Sequence, residues 1–317
     1  MSFPGLIYGA EKDIYEQSTV QLYPLGQKLI TPNGSIFRYT LMGGVAGVAN
    51  KIYQSEAPTS GWASQALATA TAVGDTSMLF KDNAAAFAAN LFQGGTVLIE
   101  ETDDLGHLYR IKTNDASAGT AEARLYFEDG VTVKVAVAVA AGNVATVMKN
   151  PWRDIVICPI TAPTAVAVGI PRVIITNAQY GWLQTQGVAS CLVSGTMVVG
   201  RAVSLATAVT GALGPARANG TGTIANLATT ATVTHGLGGT PVIGNIQITG
   251  AENATNALTT GVWVDTIGAT TFVVNRNDPG VSAYDFGWSA SLATESVGFC
   301  VEVAPTGDFG HIFLSLE

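Results

Sequence analysis

The stretch Asn177–Val203, NAQYGWLQTQGVASCLVSGTMVVGRAV, alternates apolar residues with small or polar ones and carries no charge before Arg201. Alternation with a period of two is typical of β-strands, and the glycines mark turns between them. The most apolar tract of the chain, VAVAVAAGNVATV from Val135, is too short to cross a bilayer as a helix. The stretch therefore predicts strands that are poor in charge without spanning a membrane.

The composition of the whole chain points the same way. Of its 317 residues, 48% are hydrophobic and 12% are charged, whereas about 25% charged residues is usual for a soluble domain. Between Pro159 and Ala251 the charged residues are Arg172, Arg201 and Arg217. We expect other subunits to cover part of so bare a surface, so the chain is predicted to work in an assembly.

Charge and cysteine usage exclude several classes of partner. The net charge is −8 and no cluster of Lys and Arg follows a phosphate backbone, so direct nucleic-acid binding is not expected. The N-terminus, MSFPGLIYGAEKDIYEQS, lacks a basic segment followed by an apolar run, which predicts synthesis in the cytoplasm and no membrane partner. Cys158, Cys191 and Cys300 lack CxxC spacing and lie in apolar runs, so they predict buried free thiols.

Turn residues divide the chain into short strands. In YPLGQKLITPNGSIFRYTLMGG, residues 31–34 form a predicted turn between a strand that reaches Ile30 and one that starts at Ser35. A second hairpin is predicted over TVLIEETDDLGHLYRIKTN, residues 96–114. One short helix is predicted in the alanine-rich residues 81–95. The fold class is therefore mainly β, with an antiparallel sandwich or barrel core, this short helix, and a second small β-sandwich module after the Gly- and Thr-rich residues 210–230.

Few residues suggest chemistry. His107 lies beside Asp103 and Asp104 in a predicted turn, where a general base or weak cation site is one interpretation and a solvated turn is the favoured one. His235 precedes GLGG, which fits a tight turn better than a cofactor loop, and His311 is expected to flank the last strand. With no catalytic motif in the sequence, we predict no enzymatic activity, no cofactor and no metal; a capsid-associated hydrolase would need a reactive constellation that the sequence lacks.

Four segments carry a resemblance to a known group of proteins. They are ANLFQGGTVLIEETDDLGHLYRIKTN, VMKNPWRDIVICPITAPTAVAVGIP, AQYGWLQTQGVASCLVSGTMVVGRAV and VGFCVEVAPTGDFGHIFLSLE. In this order they resemble virion structural proteins of tailed bacteriophages, of the capsid decoration or cement type. The resemblance covers roughly residues 20–215 and 296–317, and it rests on glycines, aromatic residues and strand order, not on a catalytic motif.

The resemblance implies an architecture and a function. It implies an N-terminal arm (1–18), a capsid-binding β core (19–218 and 295–317) and an inserted β-sandwich domain (219–294) that faces outward. Such a protein decorates the capsid surface of the virion, binds the major capsid protein, forms a homotrimer and cements neighbouring capsid subunits. The alternative is a head or tail fibre protein that recognises the host surface through the inserted domain.

Two sets of aromatic or apolar residues are candidates for contacts. Tyr180, Trp182 and Leu183 are candidate interface residues, on a strand covered on one face by its own core and on the other by a neighbouring subunit. The alternative is that Trp182 fills the chain's own core. Candidates for exposed residues that stack on host-surface glycans are Trp263, Tyr284, Phe286 and Trp288, although core packing is the favoured interpretation of these residues.

Overall fold

A computed structural model describes residues 5–59, 62–81, 86–100, 103–119, 122–140, 143–250, 261–277, 279, 282–294 and 296–317. The helices among these residues are two short 3-10 helices, Glu11–Tyr15 and Ile243–Asn245. Nearly all other regular structure is β-strand arranged in antiparallel sheets, so the predicted mainly β fold class is confirmed.

The described residues contain 23 strands, numbered along the chain. The first twelve are β1 (Leu6–Tyr8), β2 (Lys28–Ile30), β3 (Ile36–Leu41), β4 (Tyr53–Gln54), β5 (Gln65–Ala66), β6 (Ser77–Phe80), β7 (Thr96–Ile99), β8 (Leu108–Asn114), β9 (Ala123–Phe127), β10 (Val144–Met148), β11 (Val156–Ile157) and β12 (Ala167–Pro171). The others are β13 (Tyr180–Leu192), β14 (Ala202–Leu205), β15 (Leu213–Pro215), β16 (Arg217–Ile224), β17 (Thr230–Thr234), β18 (Ile246–Gly250), β19 (Val262–Asp265), β20 (Thr271–Arg276), β21 (Tyr284–Ser291), β22 (Ser296–Cys300) and β23 (Phe309–Ser315).

An eleven-stranded sheet is organised around β13. Its main order is β1-β2-β3-β13-β23-β22-β14-β15, and β12 joins β4 and β11 to β13. At 13 residues, β13 is long enough to pair with β3 over its first half and with β23 over its second half. The stretch quoted at the outset thus forms the strand on which the two halves of the sheet meet.

Both predicted hairpins form. β2 and β3 pair with Ile30 opposite Ile36, and β7 and β8 pair with Val97 opposite Tyr109. The second hairpin belongs to a separate six-stranded sheet, β5-β10-β7-β8-β9-β6. Its buried side chains form a core of their own drawn from residues 62–147, a unit that the sequence alone did not distinguish from the rest of residues 19–218.

The predicted helix at residues 81–95 is wrong for the residues described there, 81 and 86–95, and residues 82–85 lie outside the description. The amides of Asn90 and Gly94 donate to carbonyl oxygens of Asn114 and Ile111, at 3.0 and 2.8 Å, instead of to the preceding helical turn. Phe92 and Phe87 are buried in the core of the six-stranded sheet. Burying two phenyl groups outweighs the helix propensity of alanine, which is worth less than about 1 kcal/mol per residue.

Residues 217–291 form two three-stranded sheets, β16-β21-β18 and β17-β20-β19. Side chains from both sheets share one core, which includes Ile224, Val233, Phe272 and Phe286. This is the predicted second small β-sandwich. We call it the small sandwich below; its assignment as an inserted, outward-facing domain stays a prediction.

The described part of the predicted N-terminal arm, residues 5–18, packs on the chain's own large sheet. β1 pairs in parallel with β2, Ile14 is buried, and the backbone of Ser18 bonds to that of Tyr180 at both N–H and C=O. These contacts hold the segment without a neighbouring subunit.

Candidate functional site

The outer surface of the large sheet carries a row of apolar side chains across its strands. Val188 on β13 lies opposite Phe313 on β23, and Phe313 lies opposite Phe299 on β22. These three residues are 44%, 41% and 49% exposed. Phe309 stands on the same side of β23 and is also about half exposed. We call Val188, Phe299, Phe309, His311 and Phe313 the β23 face.

The sequence of β23 dictates this arrangement. Alternate side chains of a strand point to opposite sides of the sheet. Ile312 and Leu314 point inward and are fully buried, so Phe309, His311 and Phe313 must point outward. Gly298 lets β22 approach β23 closely, because a Cβ atom there would collide with the carbonyl oxygen of Phe313.

The β23 face is mostly apolar. Its titratable side chain, His311, lies in contact with the carboxylate of Glu302, and both side chains are more than half exposed. An exposed pair of this kind contributes little to stability and stays hydrated. If a phenyl side chain carries about 200 Å² of surface, the three half-exposed rings offer about 300 Å² together. That is less than the roughly 800 Å² per partner of a standard interface, so the face suits the centre of a larger contact.

The predicted interface residues are covered by the chain itself. Trp182 is 4% exposed and packs edge-on against Tyr39, with ring centroids 5.0 Å apart, and Leu183 on the opposite side of β13 is fully buried. Tyr180 is half-buried and stacks on Tyr39. The expectation that a neighbouring subunit covers Trp182 or Leu183 is therefore wrong. The N-terminal segment and β3 cover Trp182, and a core cluster that includes Tyr53 and Ile155 covers Leu183.

The predicted recognition residues divide into two groups. Tyr284, Phe286 and Trp288 are 7%, 1% and 9% exposed and belong to the core of the small sandwich, so the expectation of exposed stacking surfaces is wrong for them. All three occupy alternate positions of β21, the inward-facing side. Trp263 is 48% exposed, as the candidate role in recognition requires.

In the turn between β7 and β8, the structure places His107 beside only one of the two predicted aspartates, Asp104. His107 Nδ1 lies 2.5 Å from Asp104 Oδ1, and the Tyr109 hydroxyl donates to the other oxygen of this buried carboxylate. Burial, followed by the hydrogen bond to Asp104, raises the pKa of Tyr109 to about 12. Asp103 turns away and accepts a hydrogen bond from Asn143 at 3.1 Å. Asp104 thus stabilises the turn between β7 and β8 through its contacts with His107 and Tyr109.

His235 has a structural environment. Its Nδ1 accepts the Leu237 amide at 3.1 Å, and its Nε2 lies 3.2 Å from the Gly268 carbonyl oxygen. A neutral ring with the proton on Nε2 satisfies both contacts. Burial lowers the pKa of His235, and the bond to Gly268 opposes this shift only in part.

The cysteines are buried free thiols, as predicted. Cys158, Cys191 and Cys300 belong to one core cluster of the large sheet. Burial raises the pKa of Cys158 to about 12 and also raises those of Cys191 and Cys300. Their thiols are protonated at neutral pH and therefore weak nucleophiles.

Two other kinds of feature are absent from the residues that the structure describes. Among the residues that the structure describes, no three His, Cys, Asp or Glu side chains come together as a metal site, and no helix has the length and apolarity to cross a bilayer. Comparison with protein families, with characterised proteins and with solved structures found no match to this chain.

Proposed function

We propose that the chain is a structural protein of a tailed-bacteriophage virion that decorates the capsid and joins neighbouring capsid subunits through the β23 face. The observation that carries the proposal is the row Val188, Phe313 and Phe299. The described chain leaves 41–49% of each side chain exposed, and removal of this apolar surface from water by another protein surface is favourable.

Two features of the sequence support the same function. The scarcity of charge between residues 159 and 251 suits a surface that other subunits cover. The resemblance of residues 20–215 and 296–317 to decoration proteins supplies the partner, the major capsid protein, and the expected homotrimer. In a trimer three such faces engage the lattice together, so weak single contacts add up to firm attachment.

The first test is the copy number of the chain in particles. Quantitative mass spectrometry of gradient-purified phage should give a ratio to the major capsid protein near equality. A few copies per hundred would favour the alternative, a head or tail fibre protein. Absence from particles would overturn both.

The second test addresses the β23 face. Capsids that lack the chain are mixed with purified protein and sedimented. We expect Phe299→Ser with Phe313→Ser to weaken capsid binding at least about tenfold, because both rings lie at the centre of the proposed contact. The control is Leu105→Ser with Leu108→Ser in the β7–β8 hairpin, two apolar residues that are more exposed than Phe299 and Phe313, and this variant should bind as wild type. Equal binding of all three proteins would rule out the face.

A further inference from the structure

A cleft of about 230 Å³ lies where the large sheet meets the small sandwich. One wall comes from residues 196–203 of the large sheet and the other from the start of β16. The residues that carry the argument are Arg201, Arg217, Asn219, Thr196, Thr234 and Val198, all of which line the cleft.

The two arginines line the same cleft. Arg217 and Asn219 alternate with half-buried residues on β16, so their side chains leave the strand on the same side. Their Cα atoms are about 7 Å apart, at about 3.3 Å per residue. Arg201 Nη1 donates to Asn219 Oδ1 at 2.8 Å. Because both arginines and Asn219 line one cleft of about 230 Å³, a single carboxylate group in the cleft lies within reach of both arginine side chains.

No carboxylate among the described residues neutralises this pair of arginines. Arg201 and Arg217 are two of the three charged residues between 159 and 251, and no described Asp or Glu lines the cleft. Arg217 makes no side-chain hydrogen bond or ion pair with the residues that the structure describes. On the same strand pair, the carboxylate of Asp285 is held by Thr223, six residues from Arg217, or about 20 Å.

The rest of the lining suits a sugar ring. Thr196 and Thr234 offer hydroxyl groups. The apolar surface for ring C–H groups comes mainly from Val198, which is 46% exposed, because Met197 is only 4% exposed. The volume is below the roughly 300–1,000 Å³ of a drug-sized pocket, so it holds about one ring. An extended acidic peptide would need cations spaced along a groove, whereas both cations here line one cleft of about 230 Å³.

We propose that this cleft binds the carboxylate of a uronic acid residue in an acidic polysaccharide. Arg201 and Arg217 hold the carboxylate by charge-assisted hydrogen bonds, and the threonines and Asn219 contact ring hydroxyls. The polysaccharide ligand is an addition to the proposed capsid-binding function, which does not require a ligand.

The test is titration of the full-length protein with trigalacturonate at low salt, measured by calorimetry or NMR. A neutral galactose trisaccharide is titrated in parallel. We expect saturable binding of trigalacturonate to one site per chain and much weaker binding of the neutral sugar. Arg217→Gln should weaken binding at least about tenfold, since a charge-assisted hydrogen bond is lost. Arg110→Gln, the same charge change at an exposed arginine on β8, should leave the affinity unchanged.

Asn219→Asp is a second variant that keeps both arginines. Its carboxylate would pair with Arg201 and Arg217 in place of the ligand, so trigalacturonate binding should be lost while the melting temperature is kept. The proposal is overturned if trigalacturonate does not bind, if both variants bind it as wild type, if inorganic phosphate competes equally well, or if a hexaglutamate peptide binds more tightly. The variants of Arg110, Arg217 and Asn219 leave the residues of the β23 face unchanged. Failure of trigalacturonate binding and failure of capsid binding can therefore be distinguished.

Discussion

Arg276 shows how one residue can hold a segment of chain together. It is 3% exposed, and its guanidinium donates to the carbonyl oxygens of Ala228, Ser282, Ala225 and Pro279. These carbonyls lie in two connections of the small sandwich. A buried arginine that pairs with no described carboxylate is tolerated because each guanidinium nitrogen donates to at least one carbonyl oxygen.

Replacement of Arg276 should therefore destabilise the small sandwich. Arg276→Met keeps most of the volume but leaves carbonyl groups without donors, and we expect a loss of about 3 kcal/mol in the free energy of unfolding. Arg276→Lys keeps the charge and fewer donors, so its loss should be smaller. Urea denaturation measures both, and a stability of Arg276→Met equal to wild type would contradict the role assigned to the guanidinium.

His235 should make stability depend on pH. Its pKa in the folded chain is lower than the ordinary value of 6.5, because burial disfavours the charged ring. As pH falls, the unfolded chain binds the proton first, so the free energy of unfolding decreases below about pH 6.5.

The measurement is urea denaturation of wild type and His235→Gln at about pH 7.5 and about pH 5.5, on either side of the usual histidine pKa. Wild type should lose more stability between these values than the variant, which carries no titrating ring at this position. His107 and His311 are common to both proteins and cancel in the difference. An equal loss would show that residue 235 does not titrate differently on unfolding.

At the scale of secondary-structure elements, the positions of turns could be predicted from the sequence. The side of each strand that is exposed to solvent could not. Turn residues such as Asn33-Gly34 stand between clear strand patterns, so the hairpin of β2 and β3 is a local property of the chain. The alanine-rich residues 86–94 depend instead on distant partners, since their amides bond to β8. Local propensity cannot foresee such a contact.

The same distinction explains the candidate sites. The alternation in β23 reveals two sides but not which one faces the core, because both contain large apolar residues. Tyr284, Phe286 and Trp288 share the inward side of β21, a spacing of two that a strict period analysis would have assigned to a core. Arg201 and Arg217 line a cleft between the large sheet and the small sandwich, so no local sequence motif could predict this site.

At the scale of the whole molecule, the cores are largely separate. One is built from residues 62–147 and another from residues 224–292, while the large sheet draws on segments before and after each of them. The small sandwich begins and ends at one place, because Arg217 pairs with Ser291 in adjacent strands. Paired residues of this kind have Cα atoms about 5 Å apart.

This geometry predicts that the chain tolerates removal of the small sandwich. Deletion of residues 219–294 with a short linker should leave a remainder that folds, and residues 217–292 should fold when expressed alone. The remainder loses two backbone hydrogen bonds, from the amides of Thr196 and Ala208 to Gly236 and Gly238. It also loses two side-chain hydrogen bonds, Arg201 to Asn219 and Thr294 to Leu205, so we expect it to be less stable by about 2–4 kcal/mol.

Thermal unfolding and circular dichroism of both pieces, beside the full chain, provide the measurement. The remainder should keep its β spectrum and a cooperative transition, because its cores contain no residue of the deleted segment. If the β23 face alone binds capsids, the remainder should also sediment with them as the full chain does. A remainder that aggregates with every linker length would mean that the small sandwich completes the fold of the large sheet instead of standing on it as an insertion.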